Sequence, residues 1–382
     1  MGINPIAMIR LYLLYLTVAL SLLLVGCTSA VQGWSGPTGD DNAIYVATTS
    51  GKIRAINPTA RLQDSPFPGA QEWEFPKAKD KRVGTIYGTP TLSDGKLYFG
   101  TYLIQRGVAE GKVYSIDAAV GAQKWEYPTA EQKVSYIGAV VGSPTVKDGM
   151  VYVGSSDRKV YALDAETGML RWQHPAGDKV WVTPEVVDGL VYVGSLDHRV
   201  YALDAKSGEE RWVFESGGAV TSSPVFNNGV VYIGSADGIL YAIDAKSGGV
   251  KWSFTGDGWF WATPLLHNGV IYIGTVKGSV YAIDAAAGEL KWSRPFTASG
   301  PVIAKPVVIK DRLMVASQDG KVYALDTATG DPKWPQPFTT AGGQVFGTLY
   351  ASGDAVYVAS VNQRLYSINV ETGALLWSHN IS

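Results

Sequence analysis

The stretch Val200–Trp212, VYALDAKSGEERW, decides the fold of this chain. Its first residues have the β-branched and aromatic character of a strand, a turn of small residues follows from Asp204 to Gly208, and a second short strand begins at Trp212. Similar phrases recur from residue 53 onward, and each ends in a tryptophan that we expect to act as a wedge between repeats. The repeat tryptophans are Trp73, Trp125, Trp172, Trp212, Trp252, Trp292, Trp334 and Trp377.

The spacing of these tryptophans indicates a repeat architecture. Successive members are 52, 47, 40, 40, 40, 42 and 43 residues apart, and a period of about forty residues is typical of solenoids and propellers. Asn-Gly and Asp-Gly pairs between short apolar segments predict tight hairpins. One regular repeat holds four strand-forming segments, AVTSSPV at 219–225, VVYIGS at 230–235, LYAID at 240–244 and KWSF at 251–254. Four short antiparallel strands per repeat describe one propeller blade.

The sequence therefore predicts an all-β fold, an eight-bladed β-propeller of four-stranded antiparallel blades. The sequence leaves ring closure open: if the four strands of every repeat form one blade, closure would rest on packing of blade eight against blade one. The predicted blades cover about residues 33–76, 83–128, 138–175, 179–215, 219–255, 259–295, 301–338 and 344–382, so that the propeller spans 33–382.

The N-terminal residues resemble a bacterial lipoprotein leader. A single positive charge precedes the apolar run Leu11–Val25, and Gly26 leads to Cys27 as in a lipobox. We expect a signal peptide over residues 1–26, lipidation of Cys27 and a short tether over residues 27–32. This predicts an extracytoplasmic protein, lipid-anchored to a bacterial membrane, which is the outer membrane where the organism has one. An ordinary signal peptide or an N-terminal anchor helix is the alternative.

Composition narrows the function classes. The 382 residues carry a formal net charge of -2 and no long basic run, which argues against a nucleic-acid partner. Cys27 is the single cysteine, so an intrachain disulfide and a cysteine-based zinc site are both excluded. The four histidines lie in different repeats without metal-ligand spacing. The sequence thus predicts no catalytic residues, no metal site and no cofactor-binding residues.

A recurring aspartate follows the third strand of most repeats. A carboxylate followed by small residues and glycine is turn chemistry, in which the side chain accepts backbone N–H bonds. We therefore interpret these aspartates as structural, not as catalytic or metal-binding residues, with Asn57 and Asn369 taking the same role in the outer blades. The aspartates are Asp117, Asp164, Asp204, Asp244, Asp284 and Asp326.

The phrase A-x-D-x-x-x-G-x-x-x-W resembles the tryptophan-docking repeat of the pyrroloquinoline-quinone (PQQ) type of β-propeller. One branch of that family contains quinoprotein dehydrogenases, whose site typically includes a vicinal cysteine pair over the quinone and a calcium ion. The other branch contains non-enzymatic lipoproteins of the β-barrel assembly machinery (BamB-like). The cysteine pair is absent after Cys27, so the resemblance favours the second branch, a protein that is not an enzyme.

By this resemblance we expect a non-catalytic protein-binding scaffold at the cell envelope, a monomeric propeller that assists assembly of outer-membrane β-barrel proteins. Its partners would be envelope proteins, in particular those of a barrel-assembly complex, together with the membrane through the lipid on Cys27. A PQQ-dependent or other propeller dehydrogenase and a binder of cell-wall polysaccharide are the alternatives.

Longer connections predict where partners bind. Blade two lengthens the connection between its second and third strands over Thr101–Glu110, and the links before blades two and three are also extended. These connections leave an up-and-down blade on the same face, and loops on a rigid scaffold commonly carry binding. Insertions that are merely tolerated are the alternative. The candidate interaction residues are Lys77, Lys81, Arg82, Tyr102, Gln105, Arg106, Lys133 and Tyr136.

Aromatic residues also precede the first strand of several blades, on the same side of the disc. Trp181 and Trp261 each stand three residues before a recurrent proline, and Trp259 lies beside Trp261. These candidate channel-mouth aromatics could form a lip for a peptide or a sugar. Packing between blades is the alternative.

Overall fold

Strands are the only regular elements in the part of the chain that the structure describes. The computed structural model describes residues 35–40, 42–48, 50–61, 68–77, 83–105, 107–129 and 137–382. The predicted signal peptide, the tether and Cys27 lie outside these residues. Gly33–Ser382 forms a single compact unit. Within the described residues, no helix has the length and hydropathy needed to cross a membrane.

The first half of the propeller contains nineteen strands. Blade one has β1 (Thr38–Gly39), β2 (Ile44–Ala47), β3 (Ile53–Arg61) and β4 (Pro68–Phe75). Blade two has β5 (Thr91–Ser93), β6 (Lys96–Gly100), an inserted hairpin of β7 (Leu103–Gln105) and β8 (Val108–Gly111), then β9 (Val113–Asp117) and β10 (Gln123–Tyr127). The link to blade three contains β11 (Ile137–Gly138). Blades three and four have β12 (Thr145–Lys147), β13 (Met150–Ser155), β14 (Lys159–Asp164), β15 (Leu170–Pro175), β16 (Glu185–Val187), β17 (Leu190–Gly194), β18 (Arg199–Asp204) and β19 (Glu210–Glu215).

The second half has four strands in each blade. Blade five has β20 (Val225–Asn227), β21 (Val230–Gly234), β22 (Ile239–Asp244) and β23 (Val250–Thr255). Blade six has β24 (Leu265–His267), β25 (Val270–Gly274), β26 (Ser279–Asp284) and β27 (Phe296–Thr297). Blade seven has β28 (Val307–Ile309), β29 (Arg312–Ala316), β30 (Lys321–Asp326) and β31 (Phe338–Thr339). Blade eight has β32 (Tyr350–Ser352), β33 (Ala355–Ser360), β34 (Arg364–Asn369) and β35 (Leu375–Asn380).

Eight four-stranded antiparallel sheets are formed by the described residues, which confirms the predicted eight-bladed propeller. In each sheet the four strands of one repeat pair in chain order, and in blade two β6 pairs with β9 across the inserted hairpin. The first strands of neighbouring blades contact each other, as β12 does with β5 and β16, so the first strand of each blade is the innermost. A separate three-stranded sheet has the order β11-β8-β7.

The predicted hairpin turns adopt the backbone conformation that their sequences favour. The Asp or Asn of the first turn in blades two to six has φ between 48° and 52°, and the following glycine also has positive φ. Asparagine, aspartate and glycine tolerate this left-handed conformation better than other residues do. These residues are Asp94, Asp148, Asp188, Asn228 and Asn268.

Two strand predictions differ from the structure. The segment AVTSSPV at 219–225 contributes only Val225 to β20, because Pro224 has no N–H to donate and the preceding residues cross towards the neighbouring blade. In that crossing, Thr183 N donates to Ser223 Oγ at 2.9 Å. The fourth strands β27 and β31 have only two residues each, since Pro295 and Pro337 immediately precede them. Blade six therefore extends to Thr297, beyond the predicted limit of 295.

The repeat phrase forms the contact between successive blades. At seven interfaces the tryptophan indole N–H donates to a backbone carbonyl in the turn of the next blade, at 2.9–3.1 Å. The acceptors are Ala118, Ala165, Ala205, Ala245, Ala285, Thr327 and Val370. We call these seven contacts the docked interfaces. The glycine of the same turn lies on the indole, for example Gly208 on Trp172, where an added Cβ would be 2.7 Å from ring atoms.

The recurring aspartates have the structural role that the sequence predicts. Asp164 Oδ1 accepts the backbone N–H groups of Glu166 and Thr167 at 3.1 and 2.8 Å. Its Oδ2 accepts a hydrogen bond from Arg171 at 2.6 Å, and this contact lowers the pKa of Asp164 to about 2. The sequence interpretation missed this ion pair, which recurs wherever a lysine or arginine stands seven residues after the aspartate.

Blade eight closes the ring by packing against blade one, at what we call the closing interface. No strand of one blade completes the sheet of the other among the described residues. The contact is an apolar cluster in which blade one contributes Ile44, Val46 and Ile56, and blade eight contributes Ala355, Tyr357, Leu365, Trp377 and Ile381. Closure therefore depends on side-chain packing, which answers a question that the sequence leaves open.

Candidate functional site

The extended connections of blades one to three converge on one face. Strand β8 of the inserted hairpin pairs with β11 from the link between blades two and three, through Gly111 and Ile137. Thr85, in the link between blades one and two, exchanges two backbone hydrogen bonds with Tyr102, of 2.7 and 2.8 Å. We call residues 83–85, 101–112 and 137–138 the insertion platform. Three chain segments that are distant in sequence thus build one small structure.

The base of the insertion platform is tightly held by the propeller. Thr101 N donates to Lys112 O at 2.9 Å, and Val140 N donates to Thr101 O at 3.1 Å. Gly111 fits closely between two backbone segments, since an added Cβ would lie 2.5 Å from Thr101 O and 2.7 Å from Gly138 O. Such a close approach requires glycine. The base is therefore a rigid support for the hairpin above it.

The tip of the hairpin is apolar and exposed. Ile104 is 53% exposed and Val108 is 58% exposed. Ile104 pairs directly with Ala109, and Val108 pairs with Gln105. Directly paired residues share a face of the sheet and neighbours along a strand alternate, so Ile104 and Val108 point to opposite faces. Both faces of the tip are thus open, and β7 is an edge strand of its sheet.

The predicted interaction residues divide into three groups. Tyr102 lies on the platform but packs edge-on against Tyr87 with ring centroids 5.5 Å apart, and burial raises the pKa of both phenols. Gln105 ends β7 at the hairpin tip, and Lys77 is an exposed residue of the link after blade one. The remaining five, Lys81, Arg82, Arg106, Lys133 and Tyr136, lie outside the described residues.

The channel-mouth aromatics are half-buried between blades. Trp181 Nε1 donates to Ser156 Oγ of blade three at 2.9 Å, and Lys179 Nζ lies 5.3 Å from the centre of the Trp181 ring. Trp259 and Trp261 flank the fully buried Phe260 in the link before blade six. The contacts of Trp181 favour an inter-blade role for this residue. These contacts give no support to the hypothesis of an aromatic lip.

Sequence interpretation missed two charged residues at the start of innermost strands, one in β16 and one two residues before β28. Glu185 begins β16 in blade four, directly after its recurrent proline, and Lys305 directly precedes the proline of blade seven. Burial raises the pKa of Glu185 and lowers that of Lys305, while the charge of each opposes the shift of the other. The signal that could have found them is their charge, because the corresponding positions in the other repeats are uncharged.

The described residues do not fit a PQQ site with its calcium ion. Among them, no three histidine, cysteine, aspartate or glutamate side chains are close enough to hold a metal ion. A calcium ion needs about six to eight oxygen ligands, several of them from carboxylates. The turn aspartates are dispersed over separate blades and occupied by backbone N–H groups and basic side chains. We therefore derive no chemistry through a quinone.

Comparison with known proteins agrees with this fold. Residues 139–382 match the model of a β-propeller family described as that of the beta-alanine-activating enzyme. The chain belongs to this β-propeller family. Residues 25–179 of the propeller chain match a second family model, that of the outer membrane protein assembly factor BamB. The chain is thus a β-propeller that is similar to BamB over residues 25–179, in agreement with the resemblance of the repeat phrase.

Solved structures show the same propeller at low sequence identity. BamB from Moraxella catarrhalis is 20% identical, with a TM-score of 0.64 over 89% of this chain and 92% of that one. The computationally designed Ika8 protein is 16% identical, with a TM-score of 0.69 over 87% of this chain and 94% of that one. None of the curated proteins compared with the chain matches it significantly. These structural similarities define the fold and select no activity.

Proposed function

We propose that this protein is a non-catalytic, lipid-anchored scaffold of the cell envelope that assists assembly of outer-membrane β-barrel proteins. One observation carries the proposal: the longer connections around blades one to three meet in a single small sheet on one face of an otherwise regular propeller. The match of residues 25–179 to the BamB family supports the envelope setting. The lipid on Cys27 would hold the propeller at the membrane.

The insertion platform has the features of a protein-binding surface. Its base is held by backbone hydrogen bonds to the propeller, whereas Ile104 and Val108 at its tip are both more than half exposed. Exposed apolar side chains beside an edge strand suit docking of another protein, because the strand can extend its sheet into the partner while the side chains fill adjacent pockets. Insertions that were merely tolerated would need neither the rigid base nor the apolar tip.

The absence of catalysis is proposed on the chemistry of the described residues. Glu185 and Lys305 lie in and just before innermost strands, and burial shifts the pKa of each towards its neutral form. The four histidines lie in separate places, at positions 174, 198, 267 and 379. With no described cluster able to hold a metal ion, binding is the function that the geometry supports best.

The test is crosslinking capture of the tagged, lipidated protein from its own membrane, with partners identified by mass spectrometry. We expect recovery of a barrel-assembly protein with extracytoplasmic repeat domains. The double variant Ile104→Asp/Val108→Asp should reduce this recovery about tenfold, which corresponds to roughly 1.4 kcal/mol of binding free energy. The matched control is Val250→Asp, since Val250 is 48% exposed on the outer strand β23, far from the platform in sequence.

Equal recovery with the hairpin variant and the control would show that the platform does not bind the partner. Recovery of glycan in place of protein would favour the polysaccharide-binding alternative and direct attention to Trp181, Trp259 and Trp261. A quinone retained on purification, visible by its absorbance, would favour the dehydrogenase alternative. Either of these last two results would contradict the scaffold proposal.

A further inference from the structure

The closing interface lacks the hydrogen bond that joins every other pair of neighbouring blades. Trp377 is the repeat tryptophan of blade eight and is only 3% exposed. Seven repeat tryptophans donate to a carbonyl of the next blade. Among the described residues, no acceptor lies within hydrogen-bonding reach of the Trp377 indole N–H. Trp377 lines the cavity described below, where an incoming acceptor can reach it.

The first repeat explains this difference. At the docked interface of blades three and four, Ala205 supplies the acceptor carbonyl and Gly208 lies on the ring of Trp172. Pro58 and Arg61 stand at these two positions of blade one. An added Cβ at the glycine position would overlap the indole, as it would at Gly208, so arginine cannot take that place. The chain of blade one does not form the turn.

Blade one instead extends its third strand. Strand β3 has nine residues and continues to Arg61, which pairs with Pro68 of β4. Residues 58–61, which correspond to the docking turn of the other repeats, thereby belong to β3. Asn57 Oδ1 still accepts the backbone N–H of Thr59 at 3.0 Å, which is what remains of the turn.

A cavity of about 410 Å³ lies at this place between blades one and eight. Its walls include Pro58 and Thr59 of blade one and Ser352, Tyr357, Leu376 and Trp377 of blade eight. Ligand pockets commonly measure about 300–1,000 Å³. The lining contains Asp40 and no lysine, arginine or histidine, so an anionic ligand is disfavoured.

The two aromatic donors in this cavity are arranged as at a docked interface. The ring centroids of Tyr357 and Trp377 are 5.9 Å apart with planes at 48°, and those of Tyr152 and Trp172 are 5.9 Å apart at 52°. Tyr152 Oη and Trp172 Nε1 both donate to one carbonyl, that of Ala205, at 3.1 and 2.9 Å. The Tyr357 phenol has only the Ser367 hydroxyl of its own blade beside it, so that burial raises its pKa and this contact opposes the shift. The geometry is that of a docking site from which the turn is missing.

We propose that this cavity binds a turn of a partner protein that takes the place of the missing docking turn. The turn carries a small residue whose carbonyl accepts both the Tyr357 O–H and the Trp377 N–H, followed three residues later by a glycine that lies on the indole. The chain's own Asp204–Gly208 turn is the template for this ligand, with Ala205 and Gly208 in the two roles. The cavity therefore recognises partner proteins that present a turn in which a small residue is followed, three residues later, by a glycine.

This site is independent of the insertion platform. The docking turns join the third and fourth strands and lie beside the first hairpin turns, as the bond from Ala205 N to Gly189 O shows. The insertion platform instead arises from connections between second and third strands and from links between blades. These two sets leave opposite faces of an up-and-down blade, so the cavity and the platform are on opposite faces.

The experiment measures binding of a fluorescent cyclic peptide that carries the sequence of the Asp204–Gly208 turn to the full chain by anisotropy. We expect binding that Trp377→Phe weakens about tenfold, as loss of one hydrogen bond of about 1.4 kcal/mol implies. Trp172→Phe is the matched control and should leave the affinity unchanged, because the turn of blade four already covers that site. A peptide with alanine in place of the glycine should not bind.

A graft provides a second test that does not depend on loss of function. Replacing Pro58–Glu72 by the sequence of Ala205–Arg211 gives blade one a regular docking turn. We expect the graft to raise the thermal midpoint and to abolish peptide binding. The proposal is overturned if the cyclic peptide fails to bind the parent chain, if Trp377→Phe binds it as tightly as the parent, or if the folded graft still binds it.

Discussion

The docked interfaces and the closing interface use the same aromatic pair with different surroundings. At the docked interface of blades three and four, the turn of the next blade satisfies both donors and a glycine covers the indole. At the closing interface the same pair, Tyr357 and Trp377, faces a cavity. The comparison separates two contributions to blade contact, apolar packing and turn docking, of which only the first is present at closure.

Apolar packing is sufficient to close the ring. The closing cluster joins residues of β2 and β3 to residues of β33, β34 and β35, and all of them are apolar. Arg54 Nη1 reaches Asn380 O at 3.5 Å, and burial together with the nearby Arg54 charge lowers the pKa of His379. Turn docking therefore adds to stability at the other seven interfaces without being required for the architecture.

The largest expected difference concerns the glycine that covers the indole. Gly208 (φ 74°) and Gly229 (φ 76°) have the same left-handed backbone, but an added Cβ would be 2.7 Å from the Trp172 ring at Gly208 and has nothing within 4 Å at Gly229. Gly229→Ala should cost about 1–2 kcal/mol from backbone strain alone. Gly208→Ala should cost about 1–3 kcal/mol more, because the indole must move. Urea unfolding midpoints measure both.

Equal losses for the two glycine variants would show that the indole can shift freely, and would remove the steric reason why Arg61 excludes the turn from blade one. The two variants share backbone strain, so their difference isolates contact with the ring. That contact distinguishes the docked interfaces from the closing interface.

A smaller effect is expected from removing one hydroxyl. Tyr152 Oη donates to Ala205 O at 3.1 Å, whereas among the described residues Tyr357 Oη reaches no carbonyl of the neighbouring blade and has only the Ser367 hydroxyl of its own blade beside it. Tyr152→Phe should therefore lower the free energy of unfolding by about 1 kcal/mol. Tyr357→Phe should change it by less than about 0.3 kcal/mol, since the phenol and the phenyl ring pack alike. Both residues are buried, 2% and 7% exposed, which makes the pair a matched comparison.

A loss at Tyr357 as large as that at Tyr152 would contradict the proposal that Tyr357 lacks a carbonyl acceptor from the neighbouring blade at the closing interface. In that case the hydroxyl would already be stabilised in the free protein, and a turn of a partner would gain little by replacing its acceptor. The measurement is again a urea unfolding midpoint at neutral pH.

The sequence alone predicts the regular blades, because each repeat contains the residues that determine its own turns and its contact with the next blade. The Asn228-Gly229 pair sets a hairpin, Asp244 caps the following turn through Ser247 N, and Trp252 reaches the next blade. Each of these three contacts joins residues of the same repeat or of two neighbouring repeats. The count of eight blades and the role of the aspartates follow directly from them.

Features that depend on distant segments were not accessible in the same way. Pairing of β8 with β11 brings together chain segments that show no complementary pattern, and Tyr102 was predicted as a contact residue although it packs on Tyr87. The cavity at Trp377 results from substitutions at Pro58 and Arg61, more than three hundred residues earlier in the chain. Both substitutions are visible in the sequence, but their effect appears only once the ring is closed.

The smallest expected difference concerns charge in the docking turn. Asp204 caps its turn and accepts a bond from Arg211 at 2.7 Å, and this contact lowers the pKa of Asp204 to about 2. Asn369 caps the turn of blade eight in the same way, through Glu371 N and Thr372 N at 3.0 Å, and Leu376 stands where blade four has Arg211. The double variant Asp204→Asn/Arg211→Leu therefore gives blade four the uncharged turn of blade eight.

The pH dependence of this variant identifies the contribution of the charge. Because the pKa of Asp204 is lower in the folded chain than its usual value of about 3.9, the ion pair stabilises the fold above pH 4 and loses its effect as pH falls towards 2. The ion pair is exposed, so the free energy of unfolding of the parent should exceed that of the variant by at most about 1 kcal/mol at pH 7. The difference in thermal midpoint between parent and variant should be largest at pH 7 and smallest at pH 2, where Asp204 is protonated in the unfolded chain and about half protonated in the folded chain. A difference that stays constant over this range would instead assign the effect to packing of the Arg211 side chain, and the charged turns would then be no stronger than the uncharged turn of blade eight.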